Sequence, residues 1–88
     1  MKYRTKCAKI HDGDTFLTQS GKWIRLAGVN CTELGKYGSQ KARNVLCQLI
    51  EGRTITYQPV SKSYHRIVAY VWVYGRSVNN AMRRLGYN

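Results

Sequence analysis

With 88 residues, fifteen Lys and Arg against four Asp and Glu, and a formal net charge of +11, the chain has room for one domain, residues 1–88, with a modest core. Its 43 % of hydrophobic and 22 % of charged residues exclude a disordered basic tail, and its length excludes a large solenoid or doubly wound fold. So positive a surface calls for a polyanion, nucleic acid ahead of an anionic membrane or an acidic protein, with charge that serves only solubility as the plain alternative.

In chain order, Thr5, Cys7 and Ile10 mark a strand that runs into His11-Asp12-Gly13, and Thr15-Phe16-Leu17-Thr18 leaves the turn as a second strand. Asp-Gly between two such runs is a hairpin signal. After a Ser20-Gly21 turn, Trp23, Arg25 and Ala27 alternate with Ile24, Leu26 and Gly28, which predicts a third strand with Ile24 and Leu26 in the core. The stretch "NCTELGKYGS" reads as a loop. Ala42, Val45, Leu46 and Leu49 then form an apolar stripe at helical spacing, and Gly52 can stop that helix. Strand signals resume at Ile55 and Tyr57, break from Pro59 through Ser63, and return in "RIVAYVWVY", where alternation predicts that some of the aromatics enter the core. Tyr74-Gly75-Arg76 reads as a turn. Ser77 can cap a last helix bearing Val78, Ala81, Met82 and Leu85, ended by Gly86. Three strands, a helix, two strands and a helix give a mainly β, α+β class. The order predicts a five-stranded OB-fold barrel with a helix after strand 3 and a C-terminal helix.

Cys7, Cys31 and Cys47 are odd in number and match no common metal-site spacing, so reduced thiols and a cytoplasmic location are the simpler expectation. The N-terminus has no signal-peptide run and no stretch approaches the roughly 20 apolar residues of a membrane span, although a removed leader would leave secretion open. A monomer without a membrane partner is expected.

The acids are more informative than the scattered cations. Asp12, Asp14 and Glu33 all fall in or beside turns. Asp12-Gly13 has an adequate explanation in turn chemistry, whereas Asp14 opens a strand, where a carboxylate is disfavoured. A hard cation needs a carboxylate plus amide, carbonyl or water oxygens, and Asp14, Asn30 and the main-chain oxygen of Cys31 supply them if the first hairpin meets the loop after the third strand.

The array Asp12-Gly13-Asp14-Thr15, Ile24-Arg25-Leu26 with Gly28-Val29, Glu33, Tyr37-Gly38, Ala42, Tyr64-His65-Arg66 and Ser77-Val78-Asn79 resembles the thermonuclease, or staphylococcal-nuclease-like, family over nearly the whole chain. The resemblance implies an oligonucleotide-binding barrel and calcium-dependent hydrolysis of phosphodiester bonds in DNA or RNA. It implies Asp14, Asn30 and the backbone carbonyl of Cys31 as metal ligands, Arg25 and Arg66 as the arginines on the scissile phosphate, and Glu33 as the residue associated with the attacking water. Tyr64 matches a tyrosine near the terminal phosphate, and Lys62 stands close enough in sequence to add a phosphate contact. The chemistry agrees. Two fixed guanidiniums can stabilise the charge that builds around phosphorus, and a divalent cation can polarise the phosphate and water. A glutamate with an ordinary pKa of about 4.3 is a weak base at neutral pH unless its surroundings raise it.

Three positions depart from the family pattern. Asn30 replaces an aspartate, so the expected calcium affinity is lower. Thr32 stands where a proline commonly fixes the loop before Glu33, and His65 replaces a glycine before the second arginine. The rival to a nuclease is a non-catalytic single-strand nucleic-acid-binding module, for which Tyr57, Tyr64, Tyr70, Trp72 and Tyr74 offer aromatic platforms. On the plain readings, Arg25 and Arg66 are solvated strand or rim arginines and Glu33 neutralises a basic loop.

Overall fold

The computed structural model describes residues 1–31 and 39–87. Glu33, Thr32 and Tyr37-Gly38 lie outside the described residues. Strands β1 (Tyr3–Asp12), β2 (Thr15–Thr18) and β3 (Trp23–Leu26) precede helix α1 (Ser39–Ile50), followed by β4 (Thr54–Ser63), β5 (Arg66–Val73), β6 (Arg76–Ser77) and α2 (Val78–Arg84). The result is a mixed α/β fold in which two helices accompany one sheet of order β3-β2-β1-β4-β5-β6. Its pairs are antiparallel except for β3 with β5, which run parallel. That pairing returns the circuit β1–β2–β3–β5–β4 to its start.

Six strands form among the described residues rather than the five expected from sequence. The addition is the two-residue β6, which the sequence reading had divided between a turn and a helix cap. Tyr74 and Gly75 both adopt left-handed backbone, φ 51° and 76°, and this tight reversal lays Arg76 and Ser77 back against Val73 and Trp72. The expected break at Pro59 is also corrected. β4 runs on to Ser63, with Pro59 opposite Ala69 and a register shift before Ser61 pairs with Val68. Proline is tolerated at such an irregularity because the ladder there does not need its missing N–H.

Alternation sorts the strands. Ile24 and Leu26 are fully buried beside half-buried Trp23 and Arg25, and in β5 the core takes Ala69 and Val71, with Val73 nearly enclosed. The aromatics of that run face outward instead: Tyr70 and Tyr74 are exposed and Trp72 is half-buried, so of the five candidate platforms only Tyr57 is buried. On α1, Ala42, Leu46 and Ile50 recur at four-residue intervals and are fully buried, with Val45 and Leu49 at the edge of the stripe. Leu46 and Ile50 join one core cluster with Phe16, Ile10, Ile24 and Ile55, against which Val45 and Leu49 pack, each large buried side chain worth roughly 1.5–3 kcal/mol of transfer free energy.

Helix α2 starts where Ser77 Oγ accepts the Asn80 N–H at 3.1 Å. It ends in a Schellman arrangement: Gly86 (φ 99°) donates its N–H to the Arg83 carbonyl, and Tyr87 to that of Met82. Leu85 caps this end and is 59 % exposed, so it does not belong to the apolar stripe, which Val78 and Met82 carry. Asn79, expected only as part of a motif, is buried in the core, where it binds three backbone groups. Its Oδ1 accepts the Val71 N–H at 2.7 Å and its Nδ2 donates to the carbonyls of Ala27 at 2.9 Å and Ala69 at 3.2 Å. One amide thus ties α2 to β5 and to the end of β3.

Candidate functional site

The β1–β2 reversal sets two carboxylates against the end of β3. Asp12 Oδ1 accepts the Asp14 N–H at 3.1 Å, an Asx-type turn contact that explains an aspartate at the first position. Gly13 does not have positive φ, so turn geometry is not what requires it. A Cβ there would lie 2.6 Å from Ala42 Cβ and 2.7 Å from Cys31 Sγ. The glycine therefore lets the turn press against α1 and the segment that follows β3.

Asp14 stands just before β2 with its side chain turned inward. Its Oδ1 accepts the Thr15 hydroxyl at 3.0 Å, and its carbonyl accepts the Leu26 N–H at 2.8 Å, which locks the turn to the end of β3. Its Oδ2 stands 3.6 Å from Arg25 Nη2, with the two side chains only 13 % and 27 % exposed. The same Nη2 donates to Asn30 Oδ1 at 3.0 Å and to the Val29 carbonyl at 3.3 Å. Asp14, Arg25 and Asn30 are thus brought together, with the guanidinium between the two oxygen-bearing side chains. Asn30 is itself held at its backbone, where its N–H donates to the Tyr87 carbonyl at 3.3 Å.

Burial, followed by a hydrogen bond with Asp12 and the charge on Asp12, pushes the Asp14 carboxyl up to about 6, against the opposing pull of the Thr15 hydroxyl and Arg25. Burial also works against ionisation of Asp12. There it is outweighed by hydrogen bonds from the side chain and backbone of Asp14 and by the electrostatic pull of nearby His11 and Arg66, which hold Asp12 below the usual carboxylate range. In mild acid the two adjacent carboxylates therefore take up their first proton as a pair. Cys31 belongs to the same neighbourhood: burial first, then the charges of Asp14 and Asp12, raise its thiol to about 12 despite Arg25.

Arg66 reaches this place through a contact that no local pattern announces. Parallel pairing puts Arg66 opposite Trp23 and Val68 opposite Arg25, so the two arginines point to one side of the sheet as diagonal neighbours. Strand geometry sets about 8 Å between their Cβ positions. Arg66 lines a concavity of about 270 Å³ with His11, Thr15, Trp23, Tyr64 and His65. It also borders an adjoining one of about 540 Å³ that Lys62 helps to line. Lys62, Tyr64 and Arg66 are therefore brought together, with Tyr64 at the tip of the β4–β5 turn, left-handed (φ 57°) and 96 % exposed. His65 keeps ordinary backbone, so no glycine is required there by conformation.

Sequence reasoning missed His11 and Trp23, whose rings meet edge to face at 5.7 Å beside Arg66. It also missed Tyr87, whose carbonyl holds Asn30. The signal for the first pair was the position of His11 beside the acidic turn at the end of β1 and of Trp23 at the start of the strand that carries Arg25. For Tyr87 there was none, because the contact runs through its backbone. Glu33 lies outside the described residues.

Among the described residues no three His, Cys, Asp or Glu side chains gather as a metal site. The oxygens there are of the hard kind: the adjacent carboxylates of Asp12 and Asp14 and, on the other side of the Arg25 guanidinium, the amide oxygen of Asn30. A cation there would relieve the pressure between two adjacent carboxylates, so the donor chemistry fits a calcium-like ion. Arg25 shares those oxygens and would have to yield part of them.

No helix among the described residues is long and apolar enough to cross a membrane. A family model described as Staphylococcal nuclease homologue matches residues 23–88. The match takes in Arg25, Asn30, Cys31, Glu33, Lys62, Tyr64 and Arg66 and leaves the Asp12-Gly13-Asp14 turn outside. No curated protein matches the chain.

Proposed function

The chain belongs to the staphylococcal nuclease homologues, and on that footing we propose that it is a small nuclease that hydrolyses phosphodiester bonds of DNA or RNA with the help of a divalent cation, calcium by family pattern. The observation that carries the reading is the pair of same-side arginines, Arg25 and Arg66, set beside the linked carboxylates of Asp14 and Asp12. The circuit of strand pairings supports reading the sheet as an oligonucleotide-binding barrel, with β6 as a lateral addition.

In this reading the two guanidinium forks hold the scissile phosphate and meet the charge that grows on its oxygens. Asp14, Val29 and Asn30 hold Arg25 at the end of β3, and a cation that took the oxygens of Asp14 and Asn30 would free its Nη2 to turn toward the phosphate. Asp14, Asn30 and the Cys31 carbonyl would hold the cation, which when bound supplies Lewis acidity to phosphate and water. Glu33 orients the attacking water, and Lys62 and Tyr64 take the flanking phosphate at the rim. A guanidinium holds its protons too tightly to donate one, so Arg66 is assigned charge stabilisation rather than acid catalysis.

The test is release of labelled fragments from a single-stranded oligonucleotide. Chelator should stop it, and Arg25→Ala should lower kcat by about 100-fold or more, the scale for losing one preorganised transition-state donor. Glu33→Ala should do the same. Equal residual rates in all variants, with binding retained, would replace the enzyme by a non-catalytic binding module.

A further inference from the structure

Away from the acidic turn, strand register builds a second surface. Arg4 pairs with Thr56 and Thr56 with Trp72, so one cross-strand row carries a cation, a hydroxyl and an indole on the same side. Lys6 opposite Thr54 makes the next row, and Tyr70 opposite Gln58 the one before. The Lys2 ammonium sits 4.3 Å over the Trp72 ring, and the Arg53 guanidinium lies 5.6 Å from that of Tyr74. A groove of about 650 Å³ runs between them, and none of its described lining residues is acidic.

The pattern is two rails. Lys2, Arg4 and Lys6 recur every second residue along one side, all exposed. Tyr70, Trp72 and Tyr74 recur every second residue along the other, Tyr70 46 % and Tyr74 79 % exposed. Each step is about 6.6 Å, and β4 separates the rails by two strand spacings, roughly 10 Å. Cations at a regular step suit successive phosphates, and the exposed rings of Tyr70 and Tyr74 beside them suit bases, provided those bases are unstacked and turned outward; half-buried Trp72 lies between the two tyrosines with Lys2 over its ring. Duplex keeps its bases stacked inside and cannot use the second rail. An anionic lipid surface would use only the first.

We propose that this β1–β4–β5 face is a single-stranded nucleic-acid track, separate from the arginine pair. Arg66, Tyr70 and Trp72 share one side of β5, so the track leads toward Arg66 across about 20 Å of strand. Binding to the track does not depend on hydrolysis; only delivery of the strand to Arg66 rests on the nuclease reading.

Affinity of a fluorescent oligothymidylate, measured by anisotropy in chelator over a salt series, tests the track without turnover. Lys2→Ala with Arg4→Ala and Lys6→Ala should weaken binding about tenfold or more and reduce the magnitude of the salt slope by about 2, the share of three single-strand phosphate contacts. Removing the exposed cations Lys9, Lys41 and Arg84 together should change affinity less than threefold. Tyr74→Asn keeps a residue that tolerates the left-handed turn, leaves the fold intact, and should cost fivefold or more on single strand but nothing on duplex. Equal losses from the two cation sets, a Tyr74→Asn affinity like that of the parent, or binding to anionic phospholipid vesicles with no affinity for the oligonucleotide would each overturn the proposal. The triple track variant should still hydrolyse a dinucleotide-length substrate at the parent rate while losing affinity for longer strands. Loss of cleavage in the parent, with track binding intact, would sink the nuclease reading alone.

Discussion

Replacing Asn79 by alanine removes one side chain that holds three backbone groups in a dry part of the core. The Ala69 carbonyl survives the change, because it also accepts the Ala27 N–H at 2.9 Å. The Val71 N–H and the Ala27 carbonyl lose the partners found at 2.7 and 2.9 Å, and Asn79 is only 1 % exposed, so water does not readily replace them. Two buried, unsatisfied groups at about 1–3 kcal/mol each, softened by relaxation and added to a small cavity, give an expected loss of roughly 3–5 kcal/mol. A domain of this size has on the order of 4–13 kcal/mol to lose. Urea unfolding followed by far-UV circular dichroism should show the midpoint falling steeply with the slope unchanged. Asn79→Asp should be at least as damaging, since its carboxylate faces the carbonyls of Ala27 and Ala69 that the amide had bound as a donor. A loss under about 1 kcal/mol for Asn79→Ala would mean that α2 is not tied to β3 and β5 through this residue. The consequence reaches the site, because Ala27 leads directly into Val29 and Asn30, which hold Arg25.

Other expectations bear on the site and the core. Asn30→Asp adds a charge to the oxygen set and should tighten calcium about tenfold by calorimetry; unchanged or weaker affinity would remove residue 30 from the ligands. Gly13→Ala forces a methyl to within 3 Å of Ala42 and Cys31 and should cost about 1–3 kcal/mol in the same urea assay, with the nearby Ala42 backbone preventing full rescue by Ala42→Gly. Burial first, followed by the charge of Glu51, raises the Cys7 thiol from about 9 to about 11 against hydrogen bonds from the backbone of Gly52 and Lys9. Its neutral form is favoured in the fold, so this contribution is complete below pH 9 and is lost as pH rises to 11, up to about 3 kcal/mol. Cys7→Ala should flatten the alkaline decline by about one proton, and an unchanged pH slope would show that the thiol is not protected.

Much of the local structure was legible. Asp12-Gly13 between two apolar runs marked the β1–β2 reversal, Ile24 and Leu26 alternated with Trp23 and Arg25, and Ala42 with Leu46 marked the buried side of α1. Such signals come from residues two to four apart, whose directions are set by backbone geometry alone. The local reading failed where a partner strand decided the outcome. Pro59 looks like a terminator until Ala69 stands opposite it, and Leu85 looks apolar enough to bury until the Gly86 cap turns the chain away.

By itself the sequence determined a basic chain with strands, two helices and an acidic turn in the order of its family. It also determined which residue types were present for phosphate chemistry. Only the tertiary structure decided that β3 and β5 lie side by side and point Arg66 the same way as Arg25. The same holds for Gly13, a glycine because α1 crowds it, and for Tyr70, Trp72 and Tyr74, which line up outside opposite Lys2, Arg4 and Lys6. Alternation divides a strand into two sides but does not say which side meets water. That is settled by pairing between segments tens of residues apart, where loop closure and shared burial select one register among several that local preference allows.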